Sequence, residues 1–289
     1  MHSQNILPDM GLTSLPVTCL PVAPHSTSAN ATLSIPIYYS RGPDEISPNI
    51  LKELSNELTP IMTHFFQQTM DKSTLPEDWT TANICPLYKK ADRSIPANYR
   101  PVSLTCILCK LAEHIVCSNI MSHLEEHNVI TDKQHAFRKY HSCETQLCSV
   151  IHDWARNIDK NKQTDIFILD FEKAFDTVPH EHLKAKLYRY GITGKTLMWI
   201  DSFLCYRKQC VVVNGTKSKW SDVESGVPQG TVLGPVLFRL HINDILDNIS
   251  SDIRLFADDC VCYRAVLLNR VRRSPVESGG LILVYKYIK

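Results

Sequence analysis

Residues 253–264 read IRLFADDCVCYR, two short apolar arms around the adjacent acids Asp258 and Asp259. Strand-forming residues on both sides of a pair that tolerates turns predict a β-hairpin. Upstream, residues 165–171 (DIFILDF) form a compact apolar run that reads as a buried strand ending near Asp170. Both segments place carboxylates at the end of a strand in apolar surroundings. Unpaired buried charge is costly, so such acids need a partner. A divalent cation serves well: Mg2+ is held by one or two carboxylates together with substrate phosphates. Two such ions roughly 3.5–4 Å apart stabilise the attacking and leaving oxygens of phosphoryl transfer. A pair of aspartates at a turn is also commonly just solvated. On these residues alone the metal reading is the minority one.

Outward from this centre the second half is regular. Residues 181–190 carry Leu183, Leu187 and Tyr190 at helical spacing, with Gly191 as a stop. A further helix is expected over 195–206. In QCVVVNGTKSKW (209–220), Asn214-Gly215 between two strand-like runs is a strong hairpin signal. A Gly/Pro-rich loop over 226–234 leads into an apolar helix expected over 235–249. The first half opens with residues 1–41, rich in Pro, Ser, Thr and Asn, which read as a loose leader. Ser47-Pro48 starts a helix bearing Ile50, Leu51, Leu54 and Leu58. Thr59-Pro60 reads as a second start, with Ile61, Met62, Phe65 and Phe66 continuing the stripe. Residues 79–90 (WTTANICPLYKK) are strand-like, and 98–104 (NYRPVSL) are extended because Arg100 precedes a proline. Helices are expected over 104–126 and 142–158. There is no internal repeat.

Composition narrows the class without deciding it. The chain has 289 residues, 44% of them hydrophobic, and a net charge of +1, ordinary for a globular protein. A nucleic-acid enzyme more often shows a basic footprint; here basic residues gather only in LYKKADRSIPANYR (87–100) and over 264–289. Eleven cysteines, an odd number, without a secretory start argue against a disulfide framework. The expected setting is a reducing one inside the cell, cytoplasm or nucleus, without secretion. No run approaches the roughly 18 apolar residues of a membrane span.

Three segments occur in order: DFEKAFDTVPHEHL (170–183), SGVPQGTVLGPVLF (225–238) and LFADD (255–259). They resemble the three core palm motifs of reverse transcriptases from LINE-type (non-LTR) retrotransposons, of the jockey-like form. Upstream, LPEDWTTANICPLYKKADRSIPANYRPVSL (75–104) and QHAFRKYHSCETQL (134–147) resemble the finger motifs of that family. The likeness runs from about 42 to 266. It implies an α+β fold, a right-hand polymerase with fingers over 42–158 and a palm over 159–266. The tail over 267–289 is basic and matches nothing in the family, so a thumb is expected to be missing. A group II intron-type or viral polymerase fits these segments less well.

The resemblance implies roles. Asp170, Asp258 and Asp259 become the catalytic acids and ligands of two Mg2+ ions, for which Mn2+ can substitute. The reaction is attack of a primer 3′-hydroxyl on a deoxynucleotide α-phosphate along an RNA template, so the partners are RNA, a DNA primer and deoxynucleoside triphosphates, with no membrane. Such chemistry needs mainly positioning and charge neutralisation. Phe175 becomes the aromatic that excludes a ribose 2′-hydroxyl; otherwise it packs the helix start. Gln229 and Gly230 line the nucleotide pocket, where glycine lets the backbone approach a ligand. Arg100 and Lys89, with Lys90, hold the triphosphate, unless these are plain solvated charges. Arg138 contacts the template backbone. Cys106 and Cys109 form a CxxC without a second pair, and Cys143/Cys148 and Cys260/Cys262 read likewise, as thiols rather than a zinc site.

The chain also departs from the family. Ala136 stands where glycine is usual, and Tyr140-His141 where Gly-Arg is common, which predicts weaker template binding. The endonuclease that often precedes the polymerase does not fit into 1–41. Two functions are therefore expected to compete: a polymerase with its acids intact, and an inactive remnant of a decayed element that at most binds RNA or a partner.

Overall fold

The computed structural model describes residues 40–138, 140–247, 249–266 and 281–288. Its helices are α1 (Pro48–Glu53), α2 (Ser55–Lys72), α3 (Glu77–Thr80), α4 (Ile107–Glu126), α5 (Cys143–Asp159), α6 (His180–Arg189), α7 (Gly194–Leu204) and α8 (Leu233–Ile242). The strands are β1 (Thr81–Tyr88), β2 (Tyr99–Leu104), β3 (Gln163–Phe171), β4 (Arg207–Val213), β5 (Thr216–Lys217), β6 (Ser221–Val223), β7 (Asp252–Phe256), β8 (Asp259–Val266) and β9 (Leu281–Ile288). The result is a mixed helix-and-sheet fold. The described residues pack as two compact units, each built from two separated stretches: those up to 129 with 179–234, and 130–178 with those from 235 onward.

In the first unit the strands run β2-β1-β4-β5, with β6 also on β4. β1 and β2 are antiparallel from Asn83↔Leu104 to Tyr88↔Tyr99, while β4 joins β1 in parallel over Thr81–Ile84 only. Both prolines of this hairpin, Pro86 and Pro101, therefore lie where a strand has an open flank, the place a sheet tolerates a missing donor. The Asn214-Gly215 hairpin forms as expected between β4 and β5, both turn residues at positive φ (49° and 79°). Helix α4 is buried around much of its circumference by Ile107, Leu111, Ile115, Ile120 and Leu124. Trp199 and Phe203 of α7 are fully buried, and the Trp199 indole N–H donates to Thr69 Oγ1 on α2 at 3.2 Å.

Two helix expectations are corrected. The break between α1 and α2 falls at Leu54 (φ −97°, ψ 21°), and Pro60 lies inside α2. Proline in the second turn forfeits only one ladder bond close to a helix start, so Thr59-Pro60 does not begin a new helix. Helix α8 ends at Ile242 rather than at 249. Just past that end the Asn243 side-chain oxygen accepts from the Thr131 backbone N–H at 3.1 Å.

In the second unit the sheet order is β7-β8-β3-β9. Helix α5 starts on a capping box between Ser142 and Thr145. Val150 packs with Ile166 and Tyr263, flanked by Trp154, Ile168 and Val261. The Tyr263 hydroxyl donates to Asp153 Oδ2 at 2.6 Å, and Arg254 pairs with the same oxygen at 3.1 Å, tying α5 to β7 and β8. Burial and then the Asp153 bond push the Tyr263 hydroxyl well above its ordinary range. β9 pairs with β3 in parallel from Thr164↔Leu281 to Phe171↔Ile288, so part of the tail that matched no family segment joins the sheet. The leader expected over 1–41 lies almost wholly outside the described residues. No helix among them is long and apolar enough to cross a membrane.

Candidate active site

The carboxylates lie in the second unit. β3 and β8 are antiparallel, ending in Leu169↔Cys260 and Asp170↔Asp259. β7 and β8 close at Phe256↔Asp259, so the turn is Ala257-Asp258 alone. The expected hairpin forms, but Asp259 opens a strand instead of sharing the turn. Directly opposed residues of antiparallel strands project to one face with Cβ atoms about 4.5–5.5 Å apart. Asp170 and Asp259 therefore share a face, and Asp258 lies one residue before that pair. Asp170 and Asp258 are half-buried and Asp259 is exposed. Among the described residues no three His, Cys, Asp or Glu side chains gather into a metal cage. Mg2+ needs no such cage, since one or two carboxylates plus phosphate oxygens suffice; the chemistry of this donor set fits it.

The turn is held from outside the hairpin. Ala257 has φ +54°, a left-handed conformation costing a non-glycine residue roughly 1–2 kcal/mol. The Gln134 side chain takes both its polar groups: Oε1 accepts from Ala257 N–H at 3.2 Å, and Nε2 donates to Ala257 C=O at 3.4 Å. The same Oε1 accepts from Ala136 N–H at 2.9 Å. Gln134 is 1% exposed. Its backbone forms a parallel bridge with Leu255, through Leu255 N–H to Lys133 C=O and His135 N–H to Leu255 C=O, both 2.9 Å. Arg239 of α8, also buried, donates to the Ala136 and Phe137 carbonyls. Ala136 is not among the left-handed residues, whereas Phe137 (φ 54°) and Tyr140 (φ 62°) are. The backbone at Ala136 therefore needs no glycine, and the left-handed strain of this loop lies at Phe137 and Tyr140.

Two more expected residues belong to this unit. Half-buried Phe175 stacks on Phe238, ring centroids 4.4 Å apart and planes 22° off parallel. Arg138 donates to Thr131 C=O and to Asp132 Oδ1, both at 3.0 Å, so two of its donors are engaged within its own loop.

The remaining expected residues belong to the first unit. Lys89 and Arg100 are exposed at the end of β1 and on β2. Gln229 is tied to the same strand, its C=O accepting from Ser103 N–H at 2.7 Å. Gly230 has φ +95°, and a Cβ there would lie 2.9 Å from Ser103 O, so close approach and conformation both require glycine. The loop then enters α8 through Thr231, whose Oγ1 accepts from Gly234 N–H at 3.1 Å. At this entry lies a residue that motif reading missed. Glu113 of α4, 0% exposed, accepts from Val232 N–H at 2.7 Å and Leu233 N–H at 2.9 Å through one oxygen. Burial pushes its carboxyl up, opposed by those N–H groups and by nearby Arg207. Only the oddity of Glu within an apolar helix could have signalled it. Cys106 and Cys109 are buried around the start of α4, where burial pushes Cys106 up to about 12.

Residues 88–268 match the family described as reverse transcriptase (RNA-dependent DNA polymerase), well over half of the chain. This chain belongs to the reverse transcriptase family. It is similar to the probable RNA-directed DNA polymerase from transposon X-element of Drosophila melanogaster, 31% identical over 232 residues, covering 78% of this chain and 25% of the relative. It is also similar to the RNA-directed DNA polymerase from mobile element jockey of the same species, 28% identical over 75% of this chain and 24% of the relative. The Pol polyprotein from type-1 retrotransposable element R2 of Popillia japonica is 26% identical over 67% of this chain and 27% of its own length. The chain spans about a quarter of the length of these curated relatives. The reverse transcriptase match contains all three aspartates, Phe175, Gln229, Gly230, Arg100, Lys89 and Arg138.

Proposed function

We propose that the chain performs RNA-directed DNA synthesis, with Asp170, Asp258 and Asp259 as its catalytic acids. The observation that carries this is the strand register: Asp170 opposite Asp259, with Asp258 in the adjoining two-residue turn. In this reading 42–158 act as fingers and 159–266 as palm. The three carboxylates would hold two Mg2+ ions, or Mn2+, which when bound would supply charge neutralisation for phosphoryl transfer. Gln229 and Gly230 border the nucleotide, Arg100 and Lys89 meet its triphosphate, Phe175 excludes a ribose 2′-hydroxyl, and Arg138 lies near the template. Support for the nucleotide pocket is the join of β2, which bears Arg100, to Gln229 through Ser103.

The test is extension of a DNA primer annealed to RNA, with Mg2+ and labelled deoxynucleotide, beside Asp258→Ala. Extension by the wild type that the variant loses is expected. A folded wild type that extends nothing removes the catalytic reading and leaves a remnant that at most binds RNA. One observation favours that second reading: Tyr140, at a position where the resemblance leads one to expect glycine commonly, is held at φ 62°.

A further inference from the structure

We infer that Gln134 is a positioning residue for Asp258, its buried side-chain amide clamping the Ala257 peptide so that the acid is presented at the end of the β3–β8 ladder. A two-residue hairpin turn ordinarily leaves the backbone of its first residue to solvent. Here both polar groups of Ala257 are taken by one side chain. The conformation so held is left-handed on alanine, so the turn has reason to relax when released. The clamp is itself fixed. Gln134 is flanked by two backbone bonds to Leu255, its Oε1 also accepts from Ala136 N–H, and Arg239 secures the carbonyls of Ala136 and Phe137. Each of these contacts lies within the second unit. Asp258 follows Ala257 directly, so rotation of that peptide moves its carboxylate relative to Asp170 and Asp259. Displacement of about 1 Å at a reacting centre lowers rate by up to roughly 100-fold. The catalytic consequence rests on the polymerase reading; the clamp on the turn does not.

The experiment compares full-length wild type, Gln134→Met, Gln134→Glu and Asp258→Ala in two measurements. The first is amide hydrogen exchange over 253–262, with a peptide inside α4 as reference. The second is primer extension as a function of deoxynucleotide and Mn2+ concentration. Gln134→Met is expected to speed exchange at the turn while α4 is unchanged, to lower kcat about 10- to 100-fold, and to raise the Mn2+ needed for half-activity, with little change in KM for the nucleotide. Gln134→Glu keeps an acceptor for Ala257 N–H and loses the donor to Ala257 C=O, so an intermediate effect is expected even if the methionine variant folds poorly. Asp258→Ala should abolish extension and leave exchange near wild type. Unchanged exchange at the turn in both Gln134 variants overturns the inference, as does faster exchange in α4 to the same degree, which would make Gln134 a general core residue. If the wild type extends no primer, the polymerase reading fails alone, and exchange at the turn still decides the clamp.

Discussion

Glu113 combines burial, charge and two helix-entry N–H groups in one side chain. Replacing it with alanine strands those donors and removes a carboxyl that interacts electrostatically with buried Arg207, so Glu113→Ala should cost about 2–5 kcal/mol in chemical denaturation. A loss below about 1 kcal/mol would mean that water replaces the carboxylate there. Its titration has a definite sign. The folded-state value is raised, so the folded state holds the proton more tightly than the unfolded chain. Stability from this group is therefore present at low pH and lost as pH rises through the folded value. Measured against Glu113→Gln, the wild type should gain stability as pH falls from 7 toward the ordinary glutamate value of about 4.3; a difference that is flat with pH would contradict this. At Phe175 the ring stacks on Phe238, so Phe175→Val should cost stability and, under the polymerase reading, raise ribonucleotide relative to deoxynucleotide incorporation. An unchanged ratio in an active variant would leave Phe175 a packing residue.

At the scale of elements, the junction of β2 with the loop before α8 has little tolerance. Gly230→Ala combines a left-handed φ with a Cβ against Ser103 O, so it should cost at least about 1–2 kcal/mol and, under the polymerase reading, raise KM for the nucleotide by displacing Gln229. A variant as stable as the wild type, with unaltered nucleotide kinetics, would show that the loop can shift at no cost. Much at this scale was legible in the sequence: the Asn214-Gly215 hairpin, the hairpin at Asp258, and the stop at Gly191 (φ 83°). Each depends on local backbone preference. The misplaced break at Thr59-Pro60 and the overlong α8 were not legible. Proline marks a helix start and an early helical turn alike, and the chain after Ile242 is bound through Asn243 to Thr131, 112 residues away in sequence, a contact no local pattern reveals.

Across the whole molecule, each compact unit draws on two distant stretches. A fragment of residues 130–178 keeps α5 and β3 but loses β7, β8 and β9, so it should show no cooperative melt by circular dichroism; a sigmoidal melt would deny that β3 needs those partners. Stopping the chain after Val266 removes β9 and opens the outer edge of β3. Bare edges recruit other chains, so sedimentation velocity should show more self-association than the full-length chain, and an unchanged monomer would mean that β9 contributes no edge protection. The family and the candidate acids were read from the sequence alone, because ordered motifs such as DFEKAFD, GVPQG and FADD are contiguous strings whose local chemistry survives in one dimension. The partners of those motifs were decided only by tertiary structure: Asp259 opposite Asp170, Gln134 on Ala257, and Glu113 at the entry to α8. The first follows from strand register; the other two are long-range pairings of buried polar side chains, and burial is what forces such groups to find each other, a constraint that exists only once the chain has folded.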